Sequence, residues 1–427
     1  MISFWRIFWL EFTSLTRSRT VAMLTVAALG WMFAAPHVLT GDGTAAGARE
    51  LQLHFSLGGV FVLLVVALLA SATASVAGER AAKRLQLTLV RPVRYFTVAL
   101  GKIAAHVAVG AFVLGLSCLA LISTADCGVR CSHVLSPVLP SPREEALAMY
   151  ESYMNDPDTP AQVRRAKKEV VLRILTQRAL DHYQTIPTNA TVSWKFDLPQ
   201  PATQNPQPAT LSVRMRFTNP MEMRQDVFGT FRYGNLSATV SNITQAVLTV
   251  PLTPCAAGAP EKTGSLRFSN KGVSALMVRP RRDVNLLVPA DAFGWNLLRA
   301  FFAMVSVLAL IVASGVFLSS ALGRPVATFV AFVVLIVGEM SPSVVEQYPD
   351  ELSANLADRI GLCITRVASV VTRPISDLAP LEALSKDECV ERTAVLRIVL
   401  LDLLGLPLAL ALLAAFVIPR KQEDGPQ

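Results

Sequence analysis

The sequence predicts an α-helical, polytopic membrane protein of about six transmembrane helices, with an α+β, β-sandwich-like domain inserted outside the membrane. Three observations predict it. The 427 residues are 52% hydrophobic and 16% charged, where a soluble chain carries nearer ~25% charged residues. The apolar residues are gathered into runs close to the ~20 residues that ~30 Å of hydrocarbon demands. Between the third and fourth runs, over residues 124–292, hydropathy falls and the pattern alternates with a period of two.

Residues 1–20 place Phe4, Ile7, Phe8, Phe12 and Leu15 on one helical face and Arg6, Thr13 and Arg17 away from it, with Trp5 and Trp9 at headgroup depth. This is the pattern of a helix lying in the membrane interface. Glu11 and the aromatics occupy the place where a secretory leader needs a basic segment and then a continuous apolar one, so the first run is expected to be retained.

Runs at 21–39, 55–76 and 97–123 read as the first three spans. The connection at 78–96 sets Arg80, Lys83, Arg84, Arg91 and Arg94 against Glu79 alone, and such an excess of cations beside span ends marks the cytoplasmic side. The third span then exits, and residues 124–292 form an extracytoplasmic domain. It shows helical patterns at 144–154 and 161–182. Seven alternating segments follow (TVSWKFDL, TLSVRMRF, VFGTFRY, LSATVSN, AVLTVPLT, SLRFSN and SALMVRP), separated by Gly, Pro and Asn clusters.

Residues 293–345 hold spans four (296–320) and five (326–345), joined by a short turn beside Arg324. Residues 346–392 read as an outer loop with an amphipathic or re-entrant helix at 352–371. Arg359, Arg366 and Arg373 recur on its polar face, which also fits an inside placement with the fifth run as a hairpin. The last span covers 393–419 and the tail 420–427. The expected location is the inner, cytoplasmic membrane with both termini cytoplasmic. The net charge of +8 sits beside the apolar runs, so the bilayer rather than nucleic acid is its expected partner.

No P-loop, His-Glu-x-x-His or Gly-x-Ser-x-Gly pattern occurs, so this chain is expected not to be an enzyme and to hold no cofactor or metal of its own. Cys118 falls in span three. Cys127, Cys131, Cys255, Cys363 and Cys389 fall outside, where disulfides form: Cys363 with Cys389, and Cys255 with Cys127 or Cys131. A soft-metal set of Cys127, Cys131, His133 and Cys255 ranks below disulfides. Within the spans, Lys102 and Arg299 are near enough to the ends to snorkel, and His106 reads as a packing residue. Glu339 and Asp402 are the intramembrane polar candidates, with Arg397 placed to neutralise Asp402.

From Glu79-Arg80 through Leu85, Leu87, Leu89 and Pro92 to Gly101-Lys102, the chain resembles the connection between spans two and three of ABC type-2 permeases. Lys83-Arg84 stands where that family usually has Gly-Thr, and Gln86 where it usually has an acid. The interfacial helix with Glu11 resembles the family's elbow helix, and DLAPLEAL at 377–384 its outer segment before the last span. The resemblance implies a transmembrane subunit of an ABC exporter with a large extracytoplasmic domain after the third span. It implies a second permease chain, identical or related, and a separate P-loop ATPase that carries ATP and Mg. Coupling to that ATPase would fall to Glu11, Glu79, Arg80, Lys83, Arg84, Leu87, Arg91, Pro92 and Val93. An envelope partner would meet the outer domain. Two other functions fit the residues: a membrane-anchored adaptor or mechanotransmitter whose outer domain binds such a partner, and an ion-coupled secondary transporter.

Overall fold

The computed structural model describes residues 2–39, 50–82, 94–124, 130–155, 168–180, 184–197, 211–218, 226–244, 247–254, 265–347 and 380–423. The chain divides into two compact units, one of residues 1–131 with 291–427 and one of residues 132–290.

In the first unit, α1 (Ile2–Thr16) is followed by α2 (Arg19–Val38). Their parts Ser3–Thr16 and Val21–Ala35 meet at 63°. Then come α3 (Glu50–Ala81, with a π-helical turn at Leu53–Leu57) and α4 (Tyr95–Thr124). After the inserted domain the unit resumes with α8 (Phe293–Ala321), α9 (Arg324–Gln347) and the short α10 (Pro380–Ser385). The last helix, α11, starts at Arg392, passes through a π-helical segment at Val399–Gly405 and ends at Glu423. Four of these helices are long and apolar enough to cross a membrane: α3, α4, α8 and α11. Chain and membrane are therefore matched at four places, each within a few residues of a run visible in the sequence. The turn expected at 321–325 is also present, between Ala321 and Arg324. The amphipathic helix expected at 352–371 lies outside the described residues.

Helix α8 is central. Ala300, Met304, Leu308, Val312 and Val316 recur every four residues, and all are buried in one cluster. That cluster includes Leu64, Leu68, Ala72 and Val76 of α3, Ile103, Val113 and Leu114 of α4, and Ala411 and Ala414 of α11. A four-residue ridge is what packs helices into one another's grooves, and between spans such packing rather than the hydrophobic effect supplies the cohesion. Opposite faces carry exposed apolar residues, among them Met23, Phe33, Phe112, Phe302, Leu404 and Phe416. In water that would be a liability; against lipid it is the matched surface.

Strand β1 (Arg130–Leu135) leads into the second unit, which continues with α5 (Pro142–Asn155) and α6 (Lys168–Leu180). Ser141 and Glu144 close a capping box on α5: the Ser141 N–H donates to the Glu144 carboxylate at 2.9 Å, and the Glu144 N–H to Ser141 Oγ at 3.1 Å. Ala146, Val171 and Leu175 then pack the two helices together. Next come β2 (Gln184–Ile186), β3 (Thr191–Lys195), β4 (Leu211–Arg216), β5 (Asp226–Tyr233), β6 (Leu236–Ile243), β7 (Val247–Pro254), β8 (Ser265–Asn270) and β9 (Leu276–Val278). The short α7 (Pro280–Asp283) follows, and β10 (Val284–Ala292) leads out of the unit. Eight strands form one sheet in the order β1-β10-β4-β7-β6-β5-β8-β3, while β2 pairs with β9.

This is a half-barrel rather than two facing sheets. Trp194, on an edge strand, and Val284 and Leu286, near the other edge, join a single core with Phe217, Phe231 and Phe268. Alternation such as the buried–exposed pattern of β5 says that one face is covered, not whether a second sheet or the same sheet curling over covers it. All seven expected strands are present. Three more, β1, β2 and β10, escape the pattern because two are short or flank cysteines and β10 (VNLLVPADA) runs straight into the apolar α8.

Candidate functional site

Helix α1 lies along the first half of α4. Gly101 makes the approach: a Cβ there would stand 2.8 Å from Ile7 Cγ2, closer than side chains tolerate. Two turns further along α1, Leu15 is buried against Ala105 and Val109, with Phe8, Phe12 and Val21 around them. Between these contacts Glu11 meets Lys102. The ammonium is 2% exposed and donates to Glu11 Oε2 at 3.0 Å and to Glu79 Oε1, at the end of α3, at 2.8 Å. One buried cation thus ties three helices. Burying an ammonium alone is costly, and two carboxylates offset that cost.

The neighbours reinforce this clamp. His106, one turn on, is fully buried; its Nδ1 lies 2.8 Å from the Lys102 carbonyl and its Nε2 3.1 Å from Ser71 Oγ. A carbonyl oxygen only accepts, so Nδ1 carries the proton and Nε2 accepts from the serine hydroxyl. Arg80 reaches across to α8, donating through Nη1 to the Ser320 carbonyl and through Nη2 to the Leu322 carbonyl, both at 3.0 Å. Those carbonyls lie at the α8 C-terminus, where unpaired acceptors and the helix dipole both favour a guanidinium. Ser319 Oγ accepts from the Val76 and Ala77 N–H groups at 3.2 and 2.9 Å. The end of α3 is therefore held on both sides, by α4 with α1 and by α8.

No family model, curated protein or solved structure matches the chain. The site is accordingly weighed on its own geometry. Of the residues the sequence singled out, Glu11, Glu79 and Arg80 converge here. Lys83, Arg84, Leu87, Arg91, Pro92 and Val93 lie outside the described residues, as do Cys127, Cys255 and Cys363. Glu339 belongs to α9, with its side chain outside the described atoms. Lys102 corrects the sequence reading: it does not snorkel to the surface but turns inward, because two acids brought by other helices offer better solvation than the interface. Arg299 likewise pairs with the Asp291 carboxylate, which Arg392 also contacts at 3.1 Å.

Asp402 is the second correction. It sits in the π-helical segment of α11, fully buried, and neither carboxylate oxygen has a hydrogen-bond partner among the described residues. Arg397, expected to neutralise it, is exposed and makes no ion pair with it. Arg397 stands on the exposed side of the helix and Asp402 on its buried side. Among the described residues no group of three His, Cys, Asp or Glu side chains is placed to hold a metal ion. The site is a charge clamp in which Lys102 of α4 holds Glu11 of α1 and Glu79 at the end of α3.

Proposed function

We propose that this chain is the membrane-spanning subunit of an ABC-type exporter of the type-2 permease kind, with six spans, cytoplasmic termini and a cytoplasmic connection between α3 and α4 that docks on a separate P-loop ATPase. The observation that carries the proposal is the Lys102 clamp. The residues of the family resemblance, Glu79 at one end of the connection and Gly101-Lys102 at the other, are joined to each other and to Glu11 of the interfacial helix. A push on the connection is then delivered to α1, α3 and α4 together, and through Arg80 to α8. Such rigid transmission is what converts ATPase closure into movement of spans. ATP and Mg belong to the partner, and hydrolysis takes place there. The proposed assembly pairs this chain with a second permease chain, and the half-barrel domain meets an envelope partner.

The test first asks whether a reading frame adjacent to this chain's encodes a P-loop ATPase, and then purifies that ATPase with the full chain. Reversing Arg84 and Arg91 together to glutamate is expected to reduce its co-purification with the full chain by roughly tenfold, the scale on which paired interfacial charges act. Capture unchanged by both reversals would reduce the connection to a topological signal.

A second reading has one specific observation behind it. The Asp402 carboxylate, buried in α11 without a partner among the described residues, is what an ion-coupled secondary transporter would use. Under the permease reading Asp402→Asn retains ATP-driven transport, and stability stays level or rises by about 1 kcal/mol, because an uncompensated buried acid is removed. Selective loss of gradient-driven transport in vesicles would favour the second reading instead.

A further inference from the structure

Cys131 is the second residue of β1, and Cys389 precedes the last span. They are far apart in sequence, yet their side chains are in hydrogen-bond contact. Cys131 Sγ also donates to the Asp291 carbonyl at 3.2 Å. Both thiols are free, Cys131 buried and Cys389 half-exposed. Their surroundings are held on several sides. The Asn296 side chain donates to the Glu388 carbonyl and accepts from the Val390 N–H, each at 2.7 Å. The Arg299 guanidinium contacts the Val390 carbonyl and the Asp291 carboxylate. Asp291 in turn holds Arg392. The residues flanking Cys389 are therefore pinned to the start of α8, where the backbone that meets Cys131 also begins.

We infer that Cys131 and Cys389 are the two halves of a disulfide within the first unit, tying the last residue before the inserted domain to the segment before the last span. The pairing differs from Cys363 with Cys389, the bond the sequence favoured, and it is carried by contact rather than by spacing. It rests on this end of the spans facing the extracytoplasmic, oxidising side, and not on any ATPase partner.

The two thiols have distinct roles in forming it. The hydrogen bond from Cys131 pushes Cys389 down to about 7, while sharing that bond, together with burial, pushes Cys131 up. Cys389 is also the more accessible, so it is the attacking thiolate. Its sulfur attacks a donor disulfide supplied by an extracytoplasmic thiol oxidoreductase, forming a mixed disulfide and releasing one donor thiolate. Cys131 then loses its proton and attacks the Cys389 sulfur, releasing the second donor thiolate. Two protein thiols are oxidised by two electrons, and one donor disulfide is reduced to two thiols.

The experiment is peptide mapping of the full chain from cells quenched in acid and alkylated without reductant. Trypsin should yield residues 131–143 linked to residues 387–392, and the linked species should disappear on reduction. In Cys131→Ser, Cys389 should change from unlabelled to fully labelled by a maleimide added before lysis. Recovery of both cysteines alkylated from the unreduced wild-type chain, or of Cys389 linked to Cys363, would overturn the assignment.

Discussion

Replacing Lys102 by methionine is expected to lower the stability of the membrane unit by ~3–5 kcal/mol, the usual consequence of removing one member of a buried ion pair. Glu11 and Glu79 would be left facing each other, with side chains only 12% and 29% exposed and the cation between them gone. Thermal unfolding in detergent measures the loss. The cause is separable from lost packing by restoring neutrality: adding Glu11→Gln and Glu79→Gln to the methionine variant should recover most of the stability. Glu79→Gln alone should be milder, about 1 kcal/mol, because the lysine keeps Glu11. If the methionine variant melted with the wild type, the clamp would not hold these helices.

The second large effect lies in the half-barrel. Phe268 is fully buried, its ring 4.9 Å from Phe217 and 4.7 Å from Phe231 between centroids. It lies over the backbone of Gly229 on the neighbouring strand, where an added Cβ would fall 2.3 Å from the ring. Phe268→Ala opens a cavity that this tightly fitted slot cannot close, and ~3–5 kcal/mol of the domain's stability should be lost. Hydrogen exchange on the full chain reads the result region by region. Protection should fall across 211–290 and persist in α3, α4 and α8. Equal loss in both would show that the two units unfold as one.

Four of the six expected spans were legible because bilayer thickness sets a length that composition cannot hide: the run at 97–123 became Tyr95–Thr124, and that at 296–320 became Phe293–Ala321, whereas the runs at 21–39 and 326–345 gave helices that do not meet that length and apolarity by themselves. Strands β3 to β8 were legible because one covered face forces alternation. The clamp was only half legible. Glu11 and Glu79 attracted attention as isolated acids beside cations, but Lys102 looked like a residue able to reach the surface. Its true environment depends on α1 folding back over Gly101, a tertiary event with no local period. The same holds for Cys131 and Cys389, which are brought into contact by the approach of segments on either side of α8. Asp402 shows the opposite failure: Arg397 offered a partner by proximity in sequence, but it lies on the exposed side of the helix while Asp402 is buried.

The order in which the clamp's members appear in the chain has a consequence for biogenesis. Glu11 and Glu79 both precede Lys102, and synthesis runs from the N-terminus. When the ribosome adds the lysine, both counter-charges already exist, the nearer one at the end of the helix just inserted. Helix α4 can therefore enter the membrane beside α3 with its ammonium already met by Glu79.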